Sequence, residues 1–488
     1  MIFFNRKNLE EKIYACWIGK NIGGTMGAPY EGQQQLNDIQ GFSTPEGEVL
    51  PNDDLDLQLV WLRALNEQGP NGINSKVLGE YWTNFIGPNW NEYGVCKANM
   101  RSGILPPLSG VLNNGQWCNS NGAWIRTEIW ACTNPGCPEN AIRFAFEDAS
   151  VDHGFGEGSY AAIFIAAIES AAFIFNDINV LIKIGLSKIP EDCRVAKSVK
   201  LVMRAYEEGI DWKDVRNMIV EDSADLGWFQ APANIAFVIL GLLYGEGDFK
   251  KSMILAINCG DDTDCTGATL GSIMGIMYGM EIIPKDWMAH IGDSIVTISI
   301  IRGFGSFPTT CKELTKETMS LIPICTRKKI CPGGDVYAEH VVITDGPDNF
   351  GNLKAEDYYG EDFVKETFKR SQFSFTMEGV FADAMVEFDA EPVISINGEL
   401  ECRISVLPKH NFSRQDNYSL YWYLPEGWTV EGKKHLFAPP FWYEFSDCQS
   451  VKVKICAGER IAPINRIVLE LRNADHAYPI LMPITILG

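Results

Sequence analysis

Histidine is scarce in this chain, and cysteine is dispersed. Six histidines among 488 residues stand far apart, which argues against a His-rich zinc site. The 14 cysteines include no CxxC pair. Dispersed thiols in a long acidic chain suit a reducing compartment better than a disulfide scaffold, so a cytoplasmic location is expected, with a removed leader segment left open. Basic clusters are missing beyond the short Arg327-Lys328-Lys329, and the formal charge is −22. A nucleic-acid partner needs a basic face, so that class is excluded. The first residues, MIFFNRKNLEEKIYACWIG, carry charges where a secretory leader needs an apolar core. The most apolar run, Gly158 to Phe175, is interrupted by Glu169 and is short for a membrane span. It reads as a buried helix, and no membrane partner is expected. No repeat of fixed period is visible.

What is present describes a globular protein of more than one domain. Hydrophobic residues make up 46% and charged residues 21%, ordinary values for a packed chain, and 488 residues exceed what one core holds. The pattern changes near residue 325. Before it, LDLQLVWLRAL (Leu55 to Leu65), YAAIFIAAIESAAFIF (Tyr160 to Phe175), CRVAKSVKLVMRAYEEG (Cys193 to Gly209) and ANIAFVILGLLYG (Ala233 to Gly245) have helical length and period. The last is apolar all round and predicts a central buried helix. After about residue 345, segments such as ELECRISVLP, YSLYWYLPEGW, SVKVKICAGE and INRIVLELR alternate apolar with polar residues between turn signals, the pattern of an antiparallel β-sandwich. Three parts are expected: residues 1–325 as a helical domain, 326–370 as a linker with the first strands, including CPGGD and DGPDNFGN, and 371–488 as the sandwich.

Two acidic clusters stand out. PNDDLDLQLVWL places Asp53 and Asp54 where a helix begins and Asp56 in its first turn. NCGDDTDCTGATLGSIMG crowds Asp261, Asp262 and Asp264 before a small-residue, apolar segment. Acids at a helix start complement the dipole and cap the first N–H groups, and either cluster alone is explained that way. Two together suggest a site for a hard cation with oxygen ligands. An EF-hand is excluded, because the twelfth position counted from Asp262 is Ile273 rather than Glu. Glycines recur every fourth residue at 19, 23 and 27, and again at 267, 271, 275 and 279. On helices these are bare stripes that let another backbone approach. Both adjoin acidic motifs, so close helix packing is expected to bring the motifs together.

These residues also carry a family resemblance. GDDTDCTGATLGSIMG resembles the G-D-T-D-T-x-x-A-x-x-G segment of the ADP-ribosylglycohydrolase family, and NDDLDLQ resembles its T-D-D-T motif. IGGTMGAPYEG (Ile22 to Gly32), SNGAWIRTEIW (Ser120 to Trp130) and EDASVDHGFGEGSYAAIFIAA (Glu147 to Ala167) resemble three further family segments, in family order. The resemblance implies an all-α orthogonal helical bundle with two divalent cations in a central cleft, Mg²⁺ first and Mn²⁺ second. It implies cleavage of a glycosidic bond to ADP-ribose on a protein side chain or small acceptor. Carried over, the metal ligands would be Asn52, Asp53, Asp54, Asp262 and Asp264, and Glu31 would be the catalytic carboxylate. Asn52 and Cys265 stand where the family has metal-binding threonines. Asn keeps a carbonyl oxygen, but a thiol is a poor ligand for Mg²⁺, so Asp261 or Thr266 is considered as a replacement.

Asn121 and Gly122 lie in a Gly/Asn-rich loop suited to sugar or phosphate contact, and otherwise form a simple turn. Asp152 and His153 precede GFGEG and a helix start, and are read as substrate-binding. Asp152 takes the place of the family's threonine there and would add a negative charge. Trp117, Trp124, Trp130, Trp228 and Phe229 are stacking candidates, most of them expected in the core. YWYLPEGWTVEG resembles a segment of immunoglobulin-like domains appended to glycoside-active enzymes, for which a structural or docking role is expected before sugar binding. The resemblance therefore implies a glycosidase-type hydrolase acting on a small-molecule or protein-linked ADP-ribosyl or glycosyl substrate. The alternatives are a glycoside hydrolase acting on a sugar without the diphosphate, and an inactive ADP-ribose- or metal-binding relative. Intact Glu31, Asp53, Asp54, Asp262 and Asp264 argue against the last.

Overall fold

Glycine determines how the helical part of the chain is assembled. In a computed structural model, which describes residues 1–301, 303–330, 336–360, 362–368, 370–380, 382–408, 416–438 and 450–488, the first helix spans Arg6–Gly27. Its glycines face those of the helix Thr263–Tyr278. A methyl group added at Gly19 would overlap the carbonyl of Gly271, one at Gly23 the carbonyl of Gly267, and one at Gly275 the carbonyl of Ala15. The backbones are therefore in direct contact, and no side chain fits between them. Each glycine costs about 1 kcal/mol of helix propensity relative to alanine. Close dispersion contact along both helices offsets that cost. Asn5 caps the first helix by accepting from the N–H of Asn8 at 3.1 Å. Gly279, at φ +71°, ends the second.

Around this pair lie helices at the positions expected from periodicity. They include Asp53–Gln68, Glu157–Ala172, Arg194–Glu207 and Ala231–Tyr244. The last is buried from Ala231 through Leu243, as an all-round apolar surface requires. Glu157 accepts from the N–H groups of Arg194 and Val195, both at 2.9 Å, and so ties two helix starts together. Trp17, Trp61, Trp82, Trp124 and Trp130 are fully buried. No helix among the described residues is long and apolar enough to cross a membrane.

The chain forms two compact units. The helical unit comprises Met1–Lys97, Gly110–Lys328 and Tyr337–Lys365. Within it, Val341–Thr344 pairs in parallel with Ile2–Asn5, with Ile2 opposite Val341. Cys331–Asp335, the CPGGD expected in the connection, lies outside the described residues. The second unit comprises Ala98–Ser109, Lys329–Val336 and Glu366–Gly488. It holds two antiparallel sheets. In one the order is His435–Ala438, Asp416–Tyr423, Ile464–Arg472, Ile480–Leu487. In the other it is Ser374–Glu378, Ala382–Glu387, Glu399–Pro408, Ser450–Cys456, Thr429–Gly432. Alternate residues, such as Ile467, Leu469 and Leu471 in one sheet and Cys402, Ile404 and Val406 in the other, are buried. This is the two-sided pattern of a sandwich. In the same unit Thr485 donates to the carbonyl of Gly103 at 2.7 Å.

The helix pairing makes a direct prediction. Gly23→Ala or Gly271→Ala forces backbone against a methyl group and should destabilise the protein by about 3 kcal/mol or more. Gly41→Ala, where an added methyl meets nothing within 4 Å, should change stability by less than about 0.5 kcal/mol. Denaturant unfolding of the three variants checks this, and equal stabilities would contradict it.

Candidate active site

Because the first helix and the Thr263–Tyr278 helix touch, the residues at their adjoining ends meet. The chain leaves the first helix through a short 3₁₀ turn, Ala28–Tyr30, and reaches Glu31. Gly32 donates to the carbonyl of Asp261 at 2.8 Å, and Asp261 returns a bond to the carbonyl of Gln33 at 2.9 Å. This two-way bridge holds Glu31 beside the second acidic cluster. It uses left-handed backbone at Gly32, Gly260 and Asp261. Asp262 stands at the start of its helix with no side-chain cap bond, which leaves its carboxylate for the cleft. The first cluster arrives at the start of Asp53–Gln68, where Cys265 Sγ lies 3.4 Å from Asp54 Oδ1.

Two triads result. Glu31, Asp262 and Asp264 each offer one oxygen, and these atoms lie within 4.8 Å of one another. Asp54, Asp264 and Cys265 form a second group on the same criterion, with the thiol as its third atom. The charges are poorly compensated. Asp54 Oδ2, Asp262 Oδ1 and Asp264 Oδ1 are buried without a hydrogen-bond partner among the described residues. Burial, with Asp264 close by, pushes the Asp53 carboxyl up to about 6, even though Tyr93 donates to it at 2.9 Å. Burial raises Asp54 and Asp262 well above the usual carboxylate range, with Lys20 opposing at Asp54. The Asp264 carboxylate, followed by burial, pushes Glu31 up to about 8. Orphaned buried oxygens with repelling charges fit a hard cation, which would neutralise them and complete their contacts. Glu31, Asp262 and Asp264 supply three oxygen donors for one.

The triad opens into a cleft of about 420 Å³. Asp53, Tyr93, Asn121, Gly122, Phe229 and Ile298 are among its lining residues, and among the described residues no Lys or Arg is. Asp56 anchors one wall by accepting from the N–H groups of Ile298 and Ser299, both at 2.6 Å. Asp261 anchors another, accepting from Phe229 N–H at 3.2 Å and from Asn234 Nδ2 at 3.1 Å. Its side chain is thus engaged by this wall, and it does not replace a missing ligand. Thr266 donates to the carbonyl of Thr263 and is fully buried, so it does not replace one either.

The other expected site residues separate into cleft and support. Asn121 Nδ2 donates to Asp262 Oδ2 at 2.6 Å, while its oxygen accepts from the Trp124 indole at 3.0 Å. An indole N–H can only donate, so the amide orientation is fixed and Asn121 aims Asp262. Gly122 lets the Glu92 carboxylate lie directly against this loop, where an added methyl group would displace it. Asn52 does not line the cleft. Its oxygen accepts from Asp54 N–H at 2.8 Å as a helix cap, and its Nδ2 lies buried against Gly24 without a partner. Asp152 and His153 do not reach the cleft either. Both are fully buried, because Arg126 takes Asp152 with two N–H donors at 2.8 and 3.0 Å. His153 Nδ1 lies 2.8 Å from Asp152, and its Nε2 lies 3.1 Å from Ser120 Oγ. They support the loop that carries Asn121. Of the stacking candidates Trp124 and Trp130 are core, Trp228 is exposed, and Phe229 faces the cleft.

Sequence reading missed Tyr93, Arg126 and Lys20. Arg126 lies inside the quoted GAWIR, and Lys20 is a lone charge in the buried face of a glycine-striped helix. Such a charge needs a buried partner. Tyr93 carries no comparable signal.

With this geometry in view, comparisons with known proteins place the chain. The profile of the ADP-ribosylglycohydrolase family matches residues 5–316, and the chain belongs to that family. A 46-residue stretch is 41% identical to the ADP-ribosylarginine hydrolase Tri1 of Serratia proteamaculans (strain 568), covering 9% of this chain and 13% of that protein. Among solved structures, a FixG-related protein from Vibrio parahaemolyticus is 14% identical over 22% of this chain and 95% of its own, with a TM-score of 0.19. A conjugative transposon lipoprotein from Bacteroides eggerthii DSM 20697 is 11% identical over 21% of this chain and 95% of its own, with a TM-score of 0.16. Those scores are too low to carry a fold assignment.

The raised carboxyl groups fix the sign of a pH effect. A group held protonated by the fold contributes stability below its unfolded pKa and loses it as pH rises through its folded value. In chelator-treated protein, the melting temperature should therefore fall between about pH 5 and about pH 8. Mn²⁺ or Mg²⁺ should restore it, and more so at the higher pH. Asp264→Asn should flatten both trends. A pH-independent melting temperature with no response to cation would contradict the charge account.

Proposed function

We propose that the cleft hydrolyses a glycosidic bond to ADP-ribose or a related ribosyl group, with a divalent cation held by the acidic cluster. The observation that supports this most strongly is the pair of buried, orphaned oxygens on Asp262 and Asp264, carboxylates that line the cleft beside Glu31. When bound, the cation would neutralise the carboxylates and hold a sugar diol or an attacking water. Cleavage at a ribose anomeric carbon passes through an oxocarbenium-like transition state. Asp53 lines the cleft outside the Glu31–Asp262–Asp264 triad and would supply negative charge facing that developing positive charge. Asn121, fixed by Trp124, keeps Asp262 in place. Glu31 is the carboxylate at the exposed edge of the cluster, held there by the Gly32–Asp261 bridge. It steers a water or protonates the leaving group. Phe229 offers a face for a base or sugar ring. An ADP-ribosyl group on arginine is the first substrate to test, given the name of the relative from Serratia.

One observation favours a second substrate class. A diphosphate prefers cationic partners, and no Lys or Arg lines the cleft among the described residues. A ribosyl or other sugar without the diphosphate meets no such mismatch. Asp152, sealed against Arg126, adds no repulsion in either case.

Glu31→Gln, which keeps one oxygen donor, should lower kcat at saturating cation by about 10²–10⁴-fold, with cation affinity by calorimetry weakened but not abolished. A wild-type rate in that variant would remove Glu31 from the chemistry. A rate that falls only in step with lost cation occupancy would leave it a ligand alone. Inhibition by ADP-ribose but not by ribose would favour the diphosphate-bearing substrate, and the reverse would favour the simpler sugar.

A further inference from the structure

The two triads are not equivalent as cation sites. The first, Glu31–Asp262–Asp264, is built of oxygen and faces the cleft, with Asp262 Oδ1 and Asp264 Oδ1 buried and unpartnered. The second, Asp54–Asp264–Cys265, has a thiol as its third atom. A neutral thiol is a poor ligand for Mg²⁺ and only a weak one for Mn²⁺. Asp54 Oδ1 has Cys265 Sγ at 3.4 Å, and Oδ2, which lacks a hydrogen bond as the Asp262 and Asp264 oxygens do, has the Lys20 ammonium at 3.8 Å. Asp54 itself does not line the cleft.

Lys20 is an unusual neighbour for a metal ligand. It lies on the first helix, one residue after Gly19, and its side chain is completely buried. Nζ is held by the Glu128 carboxylate at 2.6 Å and by the carbonyl of Ile125 at 2.7 Å. Glu128 in turn accepts from Gln58, whose oxygen takes the N–H of Ile129 at 2.8 Å. The ammonium is therefore held beside Asp54, fully buried and bonded to Glu128 and Ile125. A divalent ion on Asp54 would sit against a resident positive charge in a medium of low polarity, where like charges repel strongly.

We propose that the cluster binds one divalent cation, at Glu31–Asp262–Asp264, and that the Lys20 ammonium takes the electrostatic place of a second ion beside Asp54 and Cys265. This rests on the reading that the cluster holds a divalent cation at all, and it departs from the pair of ions that the family resemblance implies. Lys20 is then a positioning residue: its buried ammonium partly offsets the charge around Asp54 without a metal and lets the Asp54 side of the site stay closed.

Counting ions tests this without an activity assay. Native mass spectrometry of the full chain titrated with Mn²⁺ should give one bound ion per wild-type molecule. The double variant Lys20→Met/Cys265→Thr, which removes the resident charge and restores an oxygen, should take two. Two ions in the wild type would overturn the inference and leave the proposed hydrolase function standing. One ion in the folded double variant would overturn the role given to Lys20 and Cys265. No ion in the wild type would overturn both the inference and the cation reading beneath it. If the double variant does not fold, electron paramagnetic resonance of Mn²⁺ on the wild type decides alone. The hyperfine pattern of isolated ions at saturating Mn²⁺ supports a single site, and the broadened spectrum of an exchange-coupled pair overturns it.

Discussion

Backbone contact between two glycine-striped helices is the constraint on which the rest of the helical unit depends. Gly19 and Gly23 meet Gly271 and Gly267 with no room for a methyl group on either side. That approach carries the Glu31 turn to the start of the Thr263–Tyr278 helix. The Gly32–Asp261 bridge then fixes the turn to within hydrogen-bonding precision. Helices separated by ordinary side chains would stand several ångströms further apart, and the Glu31, Asp262 and Asp264 oxygens would no longer share one small volume.

The second constraint is charge. Asp54, Asp262 and Asp264 are buried with Asp53 beside them and Glu31 at the exposed edge, and Asp264 raises the resistance to ionisation of the other four. The fold answers this unevenly. On the Asp54 side it supplies Lys20, anchored to Glu128. On the cleft side it leaves oxygens unpartnered. Behind the cleft Arg126 binds both Asp148 and Asp152 and braces the Asn121 loop. The contrast between the bonded support and the unpartnered Asp262 and Asp264 oxygens is the basis for proposing that the chemistry occurs in the cleft.

Much of this was legible in the sequence because it is local or periodic. Helix lengths, the all-round apolar helix at Ala233, the strand alternation after residue 345 and the glycine stripes are each visible within a few turns of chain. Asp53, Asp54, Asp262 and Asp264 announce themselves by crowding. What stayed hidden depends on partners distant in sequence. Asp152 and His153 sit in a motif-like loop, yet Arg126, on a different segment, draws Asp152 inward and leaves His153 between Asp152 and Ser120. Asn52 offers an oxygen that its own helix start consumes at Asp54 N–H. Lys20 reads as an oddity in a buried helix until Glu128, more than a hundred residues away, is seen beside it. The pairing of Val341–Thr344 with Ile2–Asn5 is also non-local, and no period in either segment signals it.

The central claim is that glycine packing assembles a cation site at the cleft from acids far apart in sequence. The most direct measurement is anomalous X-ray diffraction from crystals of the full chain soaked in Mn²⁺. The account predicts an anomalous peak bounded by the carboxylates of Glu31, Asp262 and Asp264. An empty cleft in soaked crystals, or manganese bound away from these three residues, would contradict it.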